Sequence, residues 1–190
     1  MKNFEEIYEI VKKALSEKRF FHSKCVSERA VEYAIKYGAN VEKAQIAGIM
    51  HDIAKEVPKE ERIPMCKKYR VELDDIEKKC TELIHGKLGA QIAKIDFGLD
   101  DEICNAIKYH TTGKENMTLL EKIIFLADFT GEDRKYDKSK ELYNLAKNDL
   151  DKAVEEMLKY SIIHVTEQNK ILHLNSVKAY NYYKMKYNWN

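Results

Sequence analysis

His51 and Asp52 stand side by side inside an apolar stretch, Ala47-Gly48-Ile49-Met50-His51-Asp52-Ile53-Ala54-Lys55. A charged carboxylate among such neighbours needs compensation, and a divalent cation supplies it directly. On a helix the two side chains are about 100° apart, so both can lean toward one cation, while Lys55 lies four residues after His51 on the same side. With Ala44, Ala47, Gly48, Ile49, Ile53 and Ala54 marking that side as core, the stretch predicts a buried helix with a metal site as its floor, running to about Val57-Pro58. A His-Asp dipeptide arises readily by chance. Its weight depends on whether other ligands occupy core-facing positions elsewhere.

The rest of the chain favours helices. Only 7 Gly and 2 Pro interrupt 190 residues rich in Lys, Glu, Leu, Ile and Ala, which predicts an all-α bundle with short connections. That length suffices for one domain over residues 1–190. Lys and Arg total 33 against 32 Asp and Glu, and no basic block marks a nucleic-acid face, so any phosphate binding must be local. Cys25, Cys66, Cys80 and Cys104 form no C-x-x-C pair, the usage of reduced thiols filling a core. Acids in Met1-Lys2-Asn3-Phe4-Glu5-Glu6-Ile7 replace the apolar run of a signal peptide, and no later segment approaches membrane-spanning length. A cytoplasmic, soluble protein with neither nucleic-acid nor membrane partners is expected; homodimerisation is left open.

Helical spacing supplies the further ligands. Phe4 to Leu15 reads as an amphipathic packing helix. The next helix runs inward through Val26, Ala30, Tyr33, Ala34 and Tyr37 to a stop at Gly38, and one turn back from Val26 lies His22. Asn40 is placed to cap the helix bearing His51 and Asp52. Lys59 to Lys79 reads as one or two short surface helices whose acids form a solvated face. Thr81 is placed to cap a helix with Ile84, His85, Leu88, Gly89 and Ile92 inward, ending near Gly98. Asp100-Asp101 opens a helix that ends on His110 before Thr111-Thr112-Gly113, and Thr118 to Phe129 brings Leu120, Ile124 and Asp128 to one core-facing side. The segment from Lys138 to Val165 reads as covering helices. Ser176 to Trp189 reads as a Tyr-rich packing helix, and His164 and His173 take structural roles.

Ligands in the order His, His-Asp, His, His, Asp resemble those of the HD-domain metal-dependent phosphohydrolases. Arg19-Phe20-Phe21-His22-Ser23, the Ala47–Lys55 stretch, His85-Gly86, Ile107-Lys108-Tyr109-His110-Thr111-Thr112-Gly113 and Leu120 to Asp128 are similar to the bacterial YqeK-type symmetrical bis(5′-nucleosyl)-tetraphosphatases, over roughly residues 15–175. The resemblance implies a helical bundle with a dinuclear metal centre inside it, often of iron, that cleaves diadenosine tetraphosphate into two ADP. It implies His22, His51, Asp52 and Asp128 as core ligands and His85 with His110 as the pair for a second metal. Asp52, with two oxygens, would bridge. Mixed imidazole and carboxylate donors suit iron, and also manganese or zinc, better than calcium. Asp52 and Lys55 would carry the catalysis, with Lys55, Thr111 and Thr112 on the phosphates. Arg134 would match an arginine of the family near the phosphates, although Phe129-Thr130-Gly131-Glu132-Asp133-Arg134 departs from the family's usual loop.

Rival readings keep the donors and change the chemistry, to another nucleotide as substrate, oxygen activation at a di-iron pair, or nucleotide binding by a regulatory module. Lys55 beside the ligands and the Thr111-Thr112-Gly113 segment favour phosphate.

Overall fold

A computed structural model describes residues 3–187 as eleven α-helices, with no strand among the described residues. They are α1 (Phe4–Ala14), α2 (Glu17–Tyr37), α3 (Val41–Met50), α4 (Lys59–Lys68), α5 (Asp75–Lys79), α6 (Ile84–Phe97), α7 (Asp101–Tyr109), α8 (Leu119–Thr130), α9 (Asp137–Ala146), α10 (Leu150–Glu167) and α11 (Leu174–Tyr187).

Local signals set most boundaries. Asn40, Asp100 and Thr118 accept from the backbone N–H three residues on and so satisfy a free donor at the start of α3, α7 and α8. At the other end of α2, Gly38 takes the left-handed conformation (φ 71°) that a side chain would resist. Helix α3 has Ala44, Ile46, Ala47, Gly48, Ile49 and Met50 all buried, and packs against α1, α2, α7 and α8. Helix α8 is its apolar counterpart, burying Leu120, Ile123, Ile124, Phe125, Leu126 and Ala127. These belong to one contiguous core that extends to Ala179 and Tyr183 of α11. Tyr183, 1 % exposed, stacks on Tyr187, so the tyrosines of α11 pack as the spacing indicated; Trp189 lies outside the described residues.

Two glycines bring ligand-bearing helices together. A Cβ on Gly48 would sit 2.6 Å from Ser27 Cα of α2, and one on Gly86 would sit 2.8 Å from the Lys108 carbonyl oxygen of α7. The C-terminal end of α8 is tied to α2 by Tyr33 Oη and Thr130 Oγ1 at 2.8 Å and by Arg29 Nε donating to Thr130 O at 2.9 Å.

Three expectations need correction. Helix α3 ends at Met50 and not near Val57, because His51 Nδ1 donates to Gly48 O at 2.7 Å, the carbonyl that Asp52 N–H would need to continue the α ladder. Turns closed by Ile53 N on Met50 O and Lys55 N on Asp52 O carry the chain onward, so Lys55 stands one tight turn beyond Asp52. Thr81 opens a short 3₁₀ turn, Thr81–Leu83, and its hydroxyl caps nothing. In the acidic 59–79 segment Glu77 is 3 % exposed, since Lys87 Nζ and Asp74 N both donate to its Oε2.

Candidate metal centre

All six inward ligand positions converge. His22 comes from the second turn of α2, His51 and Asp52 from the turn that follows α3, His85 from the start of α6, His110 from the residue just past α7 and Asp128 from the last turn of α8. His22, His51, Asp52, His85 and His110 are all buried, whereas the Asp128 side chain is 25 % exposed and forms the rim.

The orientation of the rings follows from what each Nδ1 meets. His51 Nδ1 lies on Gly48 O at 2.7 Å, His85 Nδ1 on Glu82 O at 2.6 Å and His110 Nδ1 on Ile107 O at 2.7 Å. A carbonyl only accepts, so Nδ1 carries the proton in each and the Nε2 lone pair is left for the centre. His22 uses a carboxylate instead, its Nδ1 donating to Asp133 Oδ2 at 2.8 Å while Nε2 faces Asp128 Oδ1 at 3.0 Å. Such outer partners are what aim an imidazole at a cation.

Asp52 lies between two imidazole groups. Its Oδ2 is 3.5 Å from His51 Nε2, and its Oδ1 is 3.3 Å from His85 Nε2 and 3.6 Å from His110 Nε2. Asp128 Oδ1 adds a contact of 3.7 Å to His51 Nε2. Two triplets, His22-His51-Asp128 and His51-Asp52-His110, have donor atoms all within 4.8 Å of one another. His85 Nε2 adjoins the second triplet, 3.1 Å from His110 Nε2. His51 Nε2 and Asp52 Oδ1 are both buried without a hydrogen-bond partner. Facing lone pairs and an orphaned carboxylate oxygen call for a cation, so these residues fit a metal.

Fixed cations surround the cluster. Arg19 Nη1 donates to Asp52 Oδ2 at 2.9 Å, Lys55 Nζ lies 3.2 Å from His85 Nε2, and Arg134 Nη2 donates to Asp128 Oδ1 at 2.9 Å. Burial opposes the charge on Asp52 and Asp128, yet positive charge on the surrounding rings, the part a bound cation would take over, holds both carboxyls well below the usual carboxylate range. Burial likewise opposes a charge on His22, but its bonds to Asp128 and Asp133 prevail and raise its pKa. For His85 burial dominates, reinforced by Lys55 and His110, and its pKa falls well below the ordinary histidine value.

The sequence of this centre and its architecture agree with a known family. A family model for the HD domain matches residues 19–130. The chain belongs to the HD-domain family. Its relatives include the "Bis(5'-nucleosyl)-tetraphosphatase, symmetrical" of Bacillus subtilis (strain 168), 35 % identical over 95 % of this chain and 97 % of that one. A protein of the same name from Halalkalibacterium halodurans is 36 % identical over 91 % of this chain and 92 % of its own. A crystal structure of a predicted HD superfamily hydrolase involved in NAD metabolism, from Clostridium acetobutylicum, covers 98 % of this chain and 99 % of its own at 38 % identity and a TM-score of 0.93.

Within this HD domain the expected phosphate contacts divide. Thr111 Oγ1 reaches His110 Nε2 at 3.0 Å and His85 Nε2 at 3.2 Å, so it borders the cluster. The Thr112 hydroxyl donates to Gly113 O, and its carbonyl accepts from Ser176 of α11, a loop-fastening role. Arg134 is at the rim, bound to Asp128. Arg19 and Asp133 join the site although the motifs that contain them assigned neither a role. Arg19 is three residues before His22 on the same face of α2, a signal that spacing offered; Asp133 is 111 residues from His22, and nothing local links them.

A third group, Asp74, Glu77 and His173, also has donor atoms within 4.8 Å. There His173 Nδ1 accepts from Asn175 N, so the proton sits on Nε2 and is donated to Asp74 Oδ2 at 3.0 Å. That tautomer is the reverse of the one at the centre and makes His173 a clamp between α11 and α5 rather than a ligand.

Proposed function

We propose that this protein hydrolyses dinucleoside tetraphosphates, cutting diadenosine tetraphosphate into two ADP at a centre of two metal ions held by His22, His51, Asp52, His85, His110 and Asp128. The observation that supports it most is the uniform display of four imidazole Nε2 atoms around two carboxylates, on a chain whose relatives bear the tetraphosphatase name. Iron is proposed first, with manganese or zinc suited to the same mixed donors. When bound, the ions would supply the Lewis acidity that makes water a competent nucleophile and that neutralises charge on phosphoryl oxygens.

The rest of the chemistry falls to side chains. The leaving group is a nucleoside diphosphate, an anion stable in water, so it needs a positive neighbour more than a proton donor. Lys55, about one-third exposed beside His85, and Arg134 on Asp128 supply that charge from opposite sides of the cluster. Thr111 Oγ1 can donate to a phosphoryl oxygen between them. Asp52 Oδ1 and Oδ2, each facing different imidazoles, would join the two ion positions.

Hydrolysis in ¹⁸O-labelled water tests the cut. ADP should be the only nucleotide product, with the label on its terminal phosphate. Equal amounts of AMP and ATP would contradict symmetrical cleavage while leaving phosphohydrolysis standing. Metal analysis of freshly purified protein should approach two equivalents.

Two variants separate the roles. Lys55→Ala should lower kcat/KM about a hundredfold with metal content unchanged, the scale of one lost donor to a developing charge; a metal content that falls with activity would place Lys55 in the ligand shell's support instead. Asp133→Ala should weaken metal affinity about tenfold to a hundredfold by freeing the His22 ring, and Asp133→Asn should restore part of it, because an amide oxygen still accepts from Nδ1. Metal titration into chelator-stripped protein reads this directly, and equal affinities in all three proteins would rule the contact out as a support.

A further inference from the structure

Helix α2 turns two adjacent rows of side chains toward the centre. Arg19 and His22 reach the cluster itself. Lys18 and Phe21 stand just outside it and, with the loop that carries Asp133 and Arg134, line a cavity of about 630 Å³. Arg19, His22 and Arg134 belong to the same lining, so the cavity is continuous with the metal centre. Its volume falls in the range of small-molecule sites, roughly 300–1,000 Å³.

The chemistry of the wall is specific. Phe21 is 56 % exposed, a large apolar ring held in water between lysines one turn before and after it. Lys18 and Lys135 form no ion pair among the described residues, while Arg19 and Arg134 at the inner end are paired with Asp52 and Asp128. Glu28 and Glu132 are in the lining too, but Glu28 is engaged by Lys24 at 3.8 Å. An exposed aromatic face flanked by ammonium groups suits a ligand with a planar ring at one end and phosphate at the other.

We propose that this cavity is the subsite for one nucleoside arm of the substrate, with Phe21 as the stacking platform for the base and Lys18 and Lys135 flanking the phosphate next to it. This rests on the tetraphosphatase reading above. A dinucleoside tetraphosphate has two arms, and the metal centre accounts for the bridging phosphates alone; the cavity gives one outer arm a place continuous with them. A phenyl face has neither donor nor acceptor, so the subsite should accept guanine about as well as adenine.

The test uses metal-loaded full-length protein, diadenosine tetraphosphate as substrate and inorganic tetraphosphate, which has no base, as competitor. Phe21→Ala should raise KM for the dinucleotide about tenfold, the worth of one base stacked on an aromatic ring, and leave the Ki of inorganic tetraphosphate unchanged. Phe21→Tyr should keep the wild-type KM. An unchanged KM in Phe21→Ala overturns the subsite, and so does a KM and Ki that rise together, which would place the effect on the phosphate site or the fold. Wild-type protein that leaves diadenosine tetraphosphate intact, yet hydrolyses another nucleotide, would instead remove the tetraphosphatase reading and the subsite with it.

Discussion

Asp52→Asn should lose metal and activity together, with kcat/KM down at least about a thousandfold, since on the proposed function several kcal/mol of transition-state stabilisation would come from bound metal. The amide has nearly the size of the carboxylate, so packing against α3 is kept. What changes is the sign of what the imidazoles meet. Both Asp52 oxygens now face Nε2 atoms, His51 at 3.5 Å on one side and His85 and His110 at 3.3 and 3.6 Å on the other. An amide must direct its NH₂ at one of these groups, where it would donate to a lone pair meant for a cation, and its neutral oxygen is a weaker ligand for the other. Elemental analysis beside circular dichroism checks the result. A variant with native helicity and full metal content would take Asp52 out of the ligand set.

Gly48→Ala should be the most damaging single methyl group in the chain. Its Cβ would meet Ser27 Cα at 2.6 Å and Ser27 N at 3.0 Å, both backbone, so α2 and α3 must part. The gain in helix propensity, about 1 kcal/mol, offsets only part of the strain. A net loss of about 2 kcal/mol is expected, which for a chain of this length lowers Tm by roughly 4–8 °C. The functional cost should be larger than that figure suggests, because α2 carries His22, α3 leads directly into His51, and the Gly48 carbonyl orients the His51 ring. Gly98→Ala is the control: nothing lies within 4 Å of its Cβ, and the strain comes only from φ of +68°. It should cost stability without changing metal affinity. Equal metal affinity in Gly48→Ala would show that the two helices can separate without disturbing the centre.

Helix identity and the inward positions of the six polar residues were legible in the sequence because both are local. The spacing of Val26, Ala30 and Tyr33 fixes the face of α2, and His22 is one turn away on that face. Caps such as Asn40 and Thr118 act over three residues. What the sequence hid is what depends on partners far along the chain or on side chains competing with the backbone. The early end of α3 results from one imidazole taking a helical carbonyl. Burial of Glu77 depends on Lys87, ten residues away, and the tie between Asp133 and His22 crosses from the loop after α8 to α2. Thr112 and Thr111 are neighbours with the same chemistry, and only the turn at Gly113 decides which hydroxyl borders the cluster.

Asp133 and Arg134 are consecutive residues of one loop, and between them they hold His22 and Asp128. His51, His85 and His110 are each moored to a carbonyl of their own chain segment. The centre is thus unequal in its lability. One side can loosen when a single short loop swings, whereas the other is moored through the separate segments of His85 and His110. On the proposed occupancy, a chelator would strip the ion beside the loop in a fast phase and the ion among His85, His110 and Asp52 in a slow one, passing through a half-filled state that keeps the bridging carboxylate in place.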